Sequence, residues 1–277
     1  MELTGTATSA DGTPIAFWRQ GQGPPLLLVH GGACDHLAWY FVVPSLAQAF
    51  TVYTYDRRGH GESGNVLPYA VEREVEDVEA MLVAIGEPAH LLGHSAGGIL
   101  ALEAAERVDN LLSLILYEPA YVVPGARERP NPEVLGQMNA LLSTGNRAEV
   151  VRIAIRETLG LSEAEISAME QGPGWEQLCS VADAIPYDWK LWDRELDLRR
   201  LSAVRAQVLV LMGSQSPQWL KIAAETLASA LPGAALRVLE GQAHSAMISS
   251  PALFAHAVEE FAAGVESAVP PSRIGVH

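Results

Sequence analysis

The sequence predicts an α/β domain: a mostly parallel sheet of the eight-stranded type, flanked by helices, with a helical cap inserted part-way along the chain. Three observations carry this reading. Runs of strand length and composition, such as residues 25–29, 51–55 and 111–117, alternate with stretches of helical periodicity. The run 25–29 is apolar throughout rather than at every second residue, as expected of a strand buried on both faces of a parallel sheet. Between 120 and 201 the alternation stops: glycines and prolines punctuate short helical segments, and no strand-like run appears. The expected division is therefore a core of residues 1–119 and 202–277, with a helical cap over 120–201.

Taken in order, 14–19 is an early strand closed by the turn Gly21-Gln22-Gly23-Pro24, and 25–29 runs into His30-Gly31-Gly32. A helical stretch is expected from 39 to 48, and the strand 51–55 ends in Asp56-Arg57-Arg58-Gly59-His60-Gly61-Glu62-Ser63. Val71, Val75, Val78, Leu82 and Ile85 recur at helical spacing, and Gly86 with Pro88 stops that helix. The apolar run 89–92 leads through Gly93-His94-Ser95-Ala96-Gly97 into a helix, and 111–117 ends at Glu118. In the inserted segment helices are expected over 134–142 and 149–159, and Ser162 with Glu165 has capping-box spacing. The strand 207–212, a helix carrying Trp219 and Leu227, the strand 236–239 and a closing helix with Leu253 and Phe261 complete the core. The tail from Gly264 reads as loose.

A chain of 277 residues buries a large core without staples. Its formal charge of −15 argues against nucleic acid and anionic membrane as partners, which reward basic surfaces. The same charge favours a neutral or apolar substrate over an anionic one. Cys34 and Cys179 are too few for a disulfide framework. The start has no basic stretch followed by an apolar core, and no run approaches the roughly 18–20 apolar residues of a membrane span. A cytoplasmic protein, monomer or homodimer, is the expectation.

The chemistry gathers at strand ends. In a parallel sheet, catalytic groups collect at the carboxyl edge. Here those ends carry His30-Gly31-Gly32, Ser95 and Glu118, with His244 in the loop after the last strand. Gly93-x-Ser95-x-Gly97 between a strand and a helix is a nucleophile elbow, a turn so tight that glycines flank it and push the serine hydroxyl outward. With His-Gly-Gly, Asp-x-Arg-Gly-x-Gly-x-Ser and the late Gly241-x-x-His244, the chain from about 24 to 261 resembles the α/β-hydrolase superfamily. The resemblance extends to esterases and to lactonases of the zearalenone-hydrolysing type. It implies Ser95 as nucleophile, His244 as base, and the Gly32 and Ala96 amides as oxyanion hole. The glycine at 32 reads as leaving room beside its amide for a bulky or branched acyl group.

The sequence departs from the commonest pattern at the acid. The usual Gly-x-x-Asp after the penultimate strand is Gly213-Ser214-Gln215-Ser216 here, and serine supplies no carboxylate. Glu118 ends the neighbouring strand, about 4.8 Å away across the sheet, where some family members keep the acid. Asp183, Asp193 and Glu240 are the other candidates, and His256 is the weaker alternative base. His94, Met138, Trp175, Trp189 and Trp192 are candidate substrate contacts, the last four equally readable as cap core. His30 reads as structural. Cys34-Asp35-His36 makes a poor metal site, since consecutive residues rarely converge on one ion, and Gly59-x-Gly61-x-x-Gly64 reads as a turn because no helix opens from it.

Together these residues imply a serine hydrolase that cleaves a neutral, fairly apolar ester or lactone through an acyl-enzyme, with no metal or organic cofactor. The same triad also serves lyase, C–C hydrolysis or cofactor-free perhydrolase chemistry. From another class, a ligand receptor built on a hydrolase pocket fits the same motifs.

Overall fold

In the computed structural model, which describes residues 3–268 apart from 160 and 173, eight strands form one sheet in the order β1-β2-β4-β3-β5-β6-β7-β8. They are β1 (Gly5–Thr8), β2 (Pro14–Gln20), β3 (Pro25–Val29), β4 (Thr51–Tyr55), β5 (Ala89–His94), β6 (Leu111–Tyr117), β7 (Gln207–Gly213) and β8 (Ala235–Leu239). β1 and β2 pair antiparallel; from β4 onward every pairing is parallel. β3 and β5 are buried at every position, because helices cover both faces of the sheet centre. β1 is four residues long with neither an apolar run nor clean alternation, so sequence periodicity does not find it.

The flanking helices are α1 (Val43–Leu46), α2 (Val71–Ile85), α3 (Ala96–Ala105), α9 (Gln218–Ala230), α10 (Ala246–Ser249) and α11 (Pro251–Ala268). Between β6 and β7 stand α4 (Pro132–Ser143), α5 (Arg147–Leu159), α6 (Glu163–Glu170), α7 (Trp175–Ser180) and α8 (Ile185–Trp192). The capping box at the start of α6 is formed, with Ser162 and Glu165 each bonding the other's backbone N–H.

Two expectations need correction. The helix expected over 39–48 is instead a short 3-10 turn, His36–Trp39, and the four-residue α1, separated where Pro44 restarts the helical backbone. The expected looseness from Gly264 begins too early, since α11 continues to Ala268; Pro270-Pro271 lies outside the described residues.

The helical segment is fastened to the core by polar contacts as well as by apolar packing. Tyr187 stacks on Tyr69 at 3.9 Å with nearly parallel rings, and Asn65 Nδ2 donates to the Tyr187 hydroxyl at 2.6 Å. Arg194 forks onto Glu103 at 3.0 and 2.6 Å. Within the segment, Met138 and Trp189 are buried in the apolar core that it shares with the sheet.

Candidate active site

Ser95 sits between β5 and α3 with φ 55° and ψ −120°, a backbone conformation that L residues rarely hold. The turn is tight enough that a side chain at Gly97 would begin 2.3 Å from the carbonyl oxygens of Val29 and His30. Ser95 N–H donates to Tyr117 O at 3.0 Å, and Ser95 O accepts from Gly98 at 2.9 Å, so the elbow is tied both to β6 and to its own helix. The Ala96 amide is the first of α3, where backbone N–H groups lack helical partners and the helix dipole favours negative charge.

Glu118 follows β6, also at positive φ (44°), and is fully buried. Its N–H continues the ladder to Leu211 O at 3.0 Å, which turns the side chain toward the end of β7. There Oε1 accepts from the Gly213 amide at 2.6 Å and Oε2 accepts from His244 Nδ1–H at 2.6 Å. The His244 side chain is 29% exposed whereas Glu118 is not exposed at all, so one end of the imidazole is fixed and the other faces open space. Donation from Nδ1 leaves Nε2 as the ring's free base. Ser95 Oγ makes no hydrogen bond to the described residues.

The loop bearing His244 is held from beneath. His94 Nε2–H donates to the His244 carbonyl at 2.8 Å, and the Tyr117 hydroxyl donates to Ala243 O and accepts from Ala246 N at 3.1 Å. Burial, reinforced by the neighbouring His244, holds the His94 pKa well below its ordinary 6.5, so the ring is neutral and its buried Nδ1 has no partner among the described residues. His94, expected as a substrate contact, therefore spends its donor on the His244 loop. Ser216, where the usual acid would stand, is buried with its hydroxyl unpartnered among the described residues.

The other carboxylates considered for the acid lie on the exterior. Asp183 pairs with Arg147 and Asp193 with Arg129, both exposed, and Glu240 is exposed. His256 is exposed on α11, 3.8 Å from Glu260.

The His30-Gly31-Gly32-Ala33 loop lies against the elbow: a Cβ on Gly31 would meet Ser95 Cβ at 3.2 Å. His30 is neutral, its pKa driven well below 6.5 by burial and then by His60 and Arg57. It donates from Nδ1 to Gly31 O at 2.8 Å and accepts the Arg57 amide on Nε2 at 3.0 Å, a structural role as expected. The room expected beside Gly32 is not there. A Cβ at that position would stand 2.9 Å from the Asp188 carboxylate and 3.1 Å from Trp192, because α8 closes over the loop.

Sequence motifs alone do not single out Arg57 and Asp188. Arg57 is fully buried, bonding Glu74 at 2.7 and 2.9 Å, Asp188 Oδ1 at 2.8 Å and Gly31 O at 3.1 Å. The signals were there in outline: an arginine within the Asp-Arg-Arg-Gly turn, and a lone aspartate in the apolar string Ile185-Pro186-Tyr187-Asp188-Trp189.

Of the remaining candidate contacts, Trp192 reaches the Gly32 face. Trp189 lines a cavity of about 260 Å³ with Leu135 and Pro132, and donates to Asn131 O at 3.3 Å. A second cavity, about 410 Å³, lies among Glu103, Tyr121, Arg194 and Arg200. Neither cavity includes Ser95, Glu118 or His244. Trp175 is half-buried on α7 and Met138 fully buried on α4, both against the core.

Asp35, His36 and Asp56 bring three potential metal donors within 4.8 Å of one another. Their oxygens are already engaged: Asp56 accepts from the His36 backbone and ring and from the Glu62 amide, and Asp35 from Leu37 and Gln177. The cluster reads as the scaffold of two turns. Burial pushes the Cys34 thiol up to about 12, so it is not a thiolate at neutral pH.

Comparison with known proteins agrees with this fold. Residues 26–257 match the profile of the "Alpha/beta hydrolase family". The chain is 29% identical over 256 residues to the pimeloyl-[acyl-carrier protein] methyl ester esterase of Aeromonas hydrophila, covering 89% of this chain and 98% of that one. It is 35% identical over 134 residues to the N-formylmaleamate deformylase of Pseudomonas putida, covering 47% of this chain and 50% of that one. Among solved structures, an alpha/beta hydrolase from Sphaerobacter thermophilus superposes with a TM-score of 0.85 at 37% identity, over 92% of this chain and 99% of that one. An eight-stranded sheet with this strand order, a strained serine at the β5–α3 turn and a family match over most of the length lead to one conclusion: the chain belongs to the α/β-hydrolase family.

Proposed function

We propose that this carboxylic ester hydrolase cleaves a neutral, fairly apolar ester or lactone through an acyl-enzyme on Ser95. The observation that carries the reading is the hydrogen bond from His244 Nδ1–H to the buried Glu118 carboxylate at 2.6 Å, beside a serine in elbow conformation. His244 Nε2 takes the Ser95 proton as Oγ adds to the carbonyl carbon, and the imidazolium so formed is stabilised by Glu118. The Ala96 and Gly32 amides hold the oxyanion. The proton then passes to the leaving alcohol, and water, activated by the same histidine, releases the acid. The five helices between β6 and β7 act as a cap, and α8 walls the acyl side at Gly32, so acyl groups branched on that side are disfavoured.

The matched esterase and deformylase both have names describing hydrolysis at a carbonyl, which supports this reading over lyase or perhydrolase chemistry. Labelling with a fluorophosphonate probe, followed by peptide mapping, tests it. The adduct is expected on Ser95 alone, and Ser95→Ala is expected to lose labelling and p-nitrophenyl ester turnover together. A Ser95→Ala protein with full turnover would refute the assignment.

A further inference from the structure

Among the described residues, three non-glycine residues hold positive φ: Ser95, Glu118 and Ala33 (φ 51°). The first two are the proposed nucleophile and acid. Strained backbone of this kind persists only where surrounding contacts over-determine it. Ala33 adjoins Gly32, and a side chain from α8 holds its amide: Asp188 Oδ2 accepts from the Ala33 N–H at 2.8 Å. The other carboxylate oxygen of Asp188 accepts from Arg57 Nη1 at 2.8 Å, and the same Arg57 nitrogen donates to Gly31 O at 3.1 Å. Asp188 thus fixes the loop at Ala33 directly and at Gly31 through Arg57, while its carboxylate lies against the open face of Gly32.

We propose that Asp188 is a positioning residue for the oxyanion loop, holding the Gly32 amide toward the site of carbonyl addition by tethering the strained Ala33. The proposal rests on the assignment of Gly32 to the oxyanion hole. Its energetic logic is selective. Asp188 is fully buried and both its oxygens are engaged, so it offers nothing to the ground-state substrate. Loss of the tether changes the direction of an amide whose hydrogen bond matters most when charge develops on the carbonyl oxygen. A bystander carboxylate this close would, by charge alone, oppose an oxyanion; its removal would then speed the reaction. The two views predict opposite signs.

The test is Asp188→Asn, which keeps the shape but sets an amide NH2 against either the Ala33 N–H or the Arg57 guanidinium. Tyr187→Phe, which removes the cap–core bond to Asn65 without touching the loop, is the comparator, and Ser95→Ala is the control for the parent assignment. In Asp188→Asn, kcat and kcat/KM for p-nitrophenyl esters are expected to fall together by about tenfold to a hundredfold, with KM nearly unchanged. Binding of a boronic acid, which adds to the serine as a tetrahedral anion, is expected to weaken by a similar factor, and Tyr187→Phe is expected to match the parent protein. Should Asp188→Asn not be recovered folded by circular dichroism, Arg57→Lys carries the same expectation at the other end of the tether. A rate within about twofold of the parent, a faster rate, or an equal loss in Tyr187→Phe overturns the proposal. If Ser95→Ala abolishes turnover while Asp188→Asn is unaffected, only this inference fails; if Ser95→Ala remains active, the parent assignment fails with it.

Discussion

At the scale of single residues, the two positions just before the proposed nucleophile and acid are not spacers. His94 and Tyr117 converge on the loop that carries His244, one bonding its carbonyl at 2.8 Å and the other the flanking Ala243 and Ala246 backbone. The chain thereby uses the ends of β5 and β6 twice, once for a reacting group and once for its support. Tyr117→Phe removes the donor to Ala243 O and the acceptor for the buried Ala246 N–H, and a buried N–H left unsatisfied costs about 1–3 kcal/mol. The expected outcome is a lower melting temperature and a kcat reduced by about tenfold, with KM little changed because the substrate does not touch the hydroxyl. Steady-state kinetics with calorimetry on the variant check this; an unchanged kcat would show that the His244 loop holds its place without the phenol.

At the scale of elements, the strands and helices around the sheet were legible because burial imposes a period on the sequence. The continuous apolar β3 and the stripe Val71, Val75, Val78 and Leu82 on α2 were read directly from that period. β1 escaped because a short edge strand has neither an apolar run nor clean alternation. The candidate site was legible where chemistry is local. The elbow lies within five residues, and Glu118 was named because β6 is the strand beside β7, a neighbourhood reflected in the pairing of Tyr117 with Leu211. What escaped was non-local. Asp188 meets Arg57 across 131 positions of chain, and nothing in either local sequence states that pairing. The space expected beside Gly32 failed for the same reason: the glycine was visible, and the α8 side chains that fill its open face were not.

At the scale of the whole molecule, neutrality of buried histidines links stability to pH. Burial lowers the pKa values of His30, His60 and His94 from 6.5. Between the folded-state values and 6.5 the unfolded chain binds protons that the folded chain refuses, so stability is fully present above 6.5 and is lost as the pH falls through that window. Melting followed by calorimetry is expected to give a lower midpoint near pH 5.5 than near pH 7.5, above the ordinary carboxylate range of about 4. Equal midpoints would mean that these rings are not held neutral. No helix among the described residues is long and apolar enough to cross a membrane.

That core brings the end of β6, rather than the loop after β7, to His244, and the acid at Glu118 is the central claim. The most direct measurement is kcat of Glu118→Gln on p-nitrophenyl esters beside Asp183→Asn, Asp193→Asn and Glu240→Gln. Loss of the carboxylate that stabilises the imidazolium is expected to lower kcat by about 10³–10⁴-fold in Glu118→Gln alone. Full activity in Glu118→Gln, or a comparable loss in one of the other three, would contradict it.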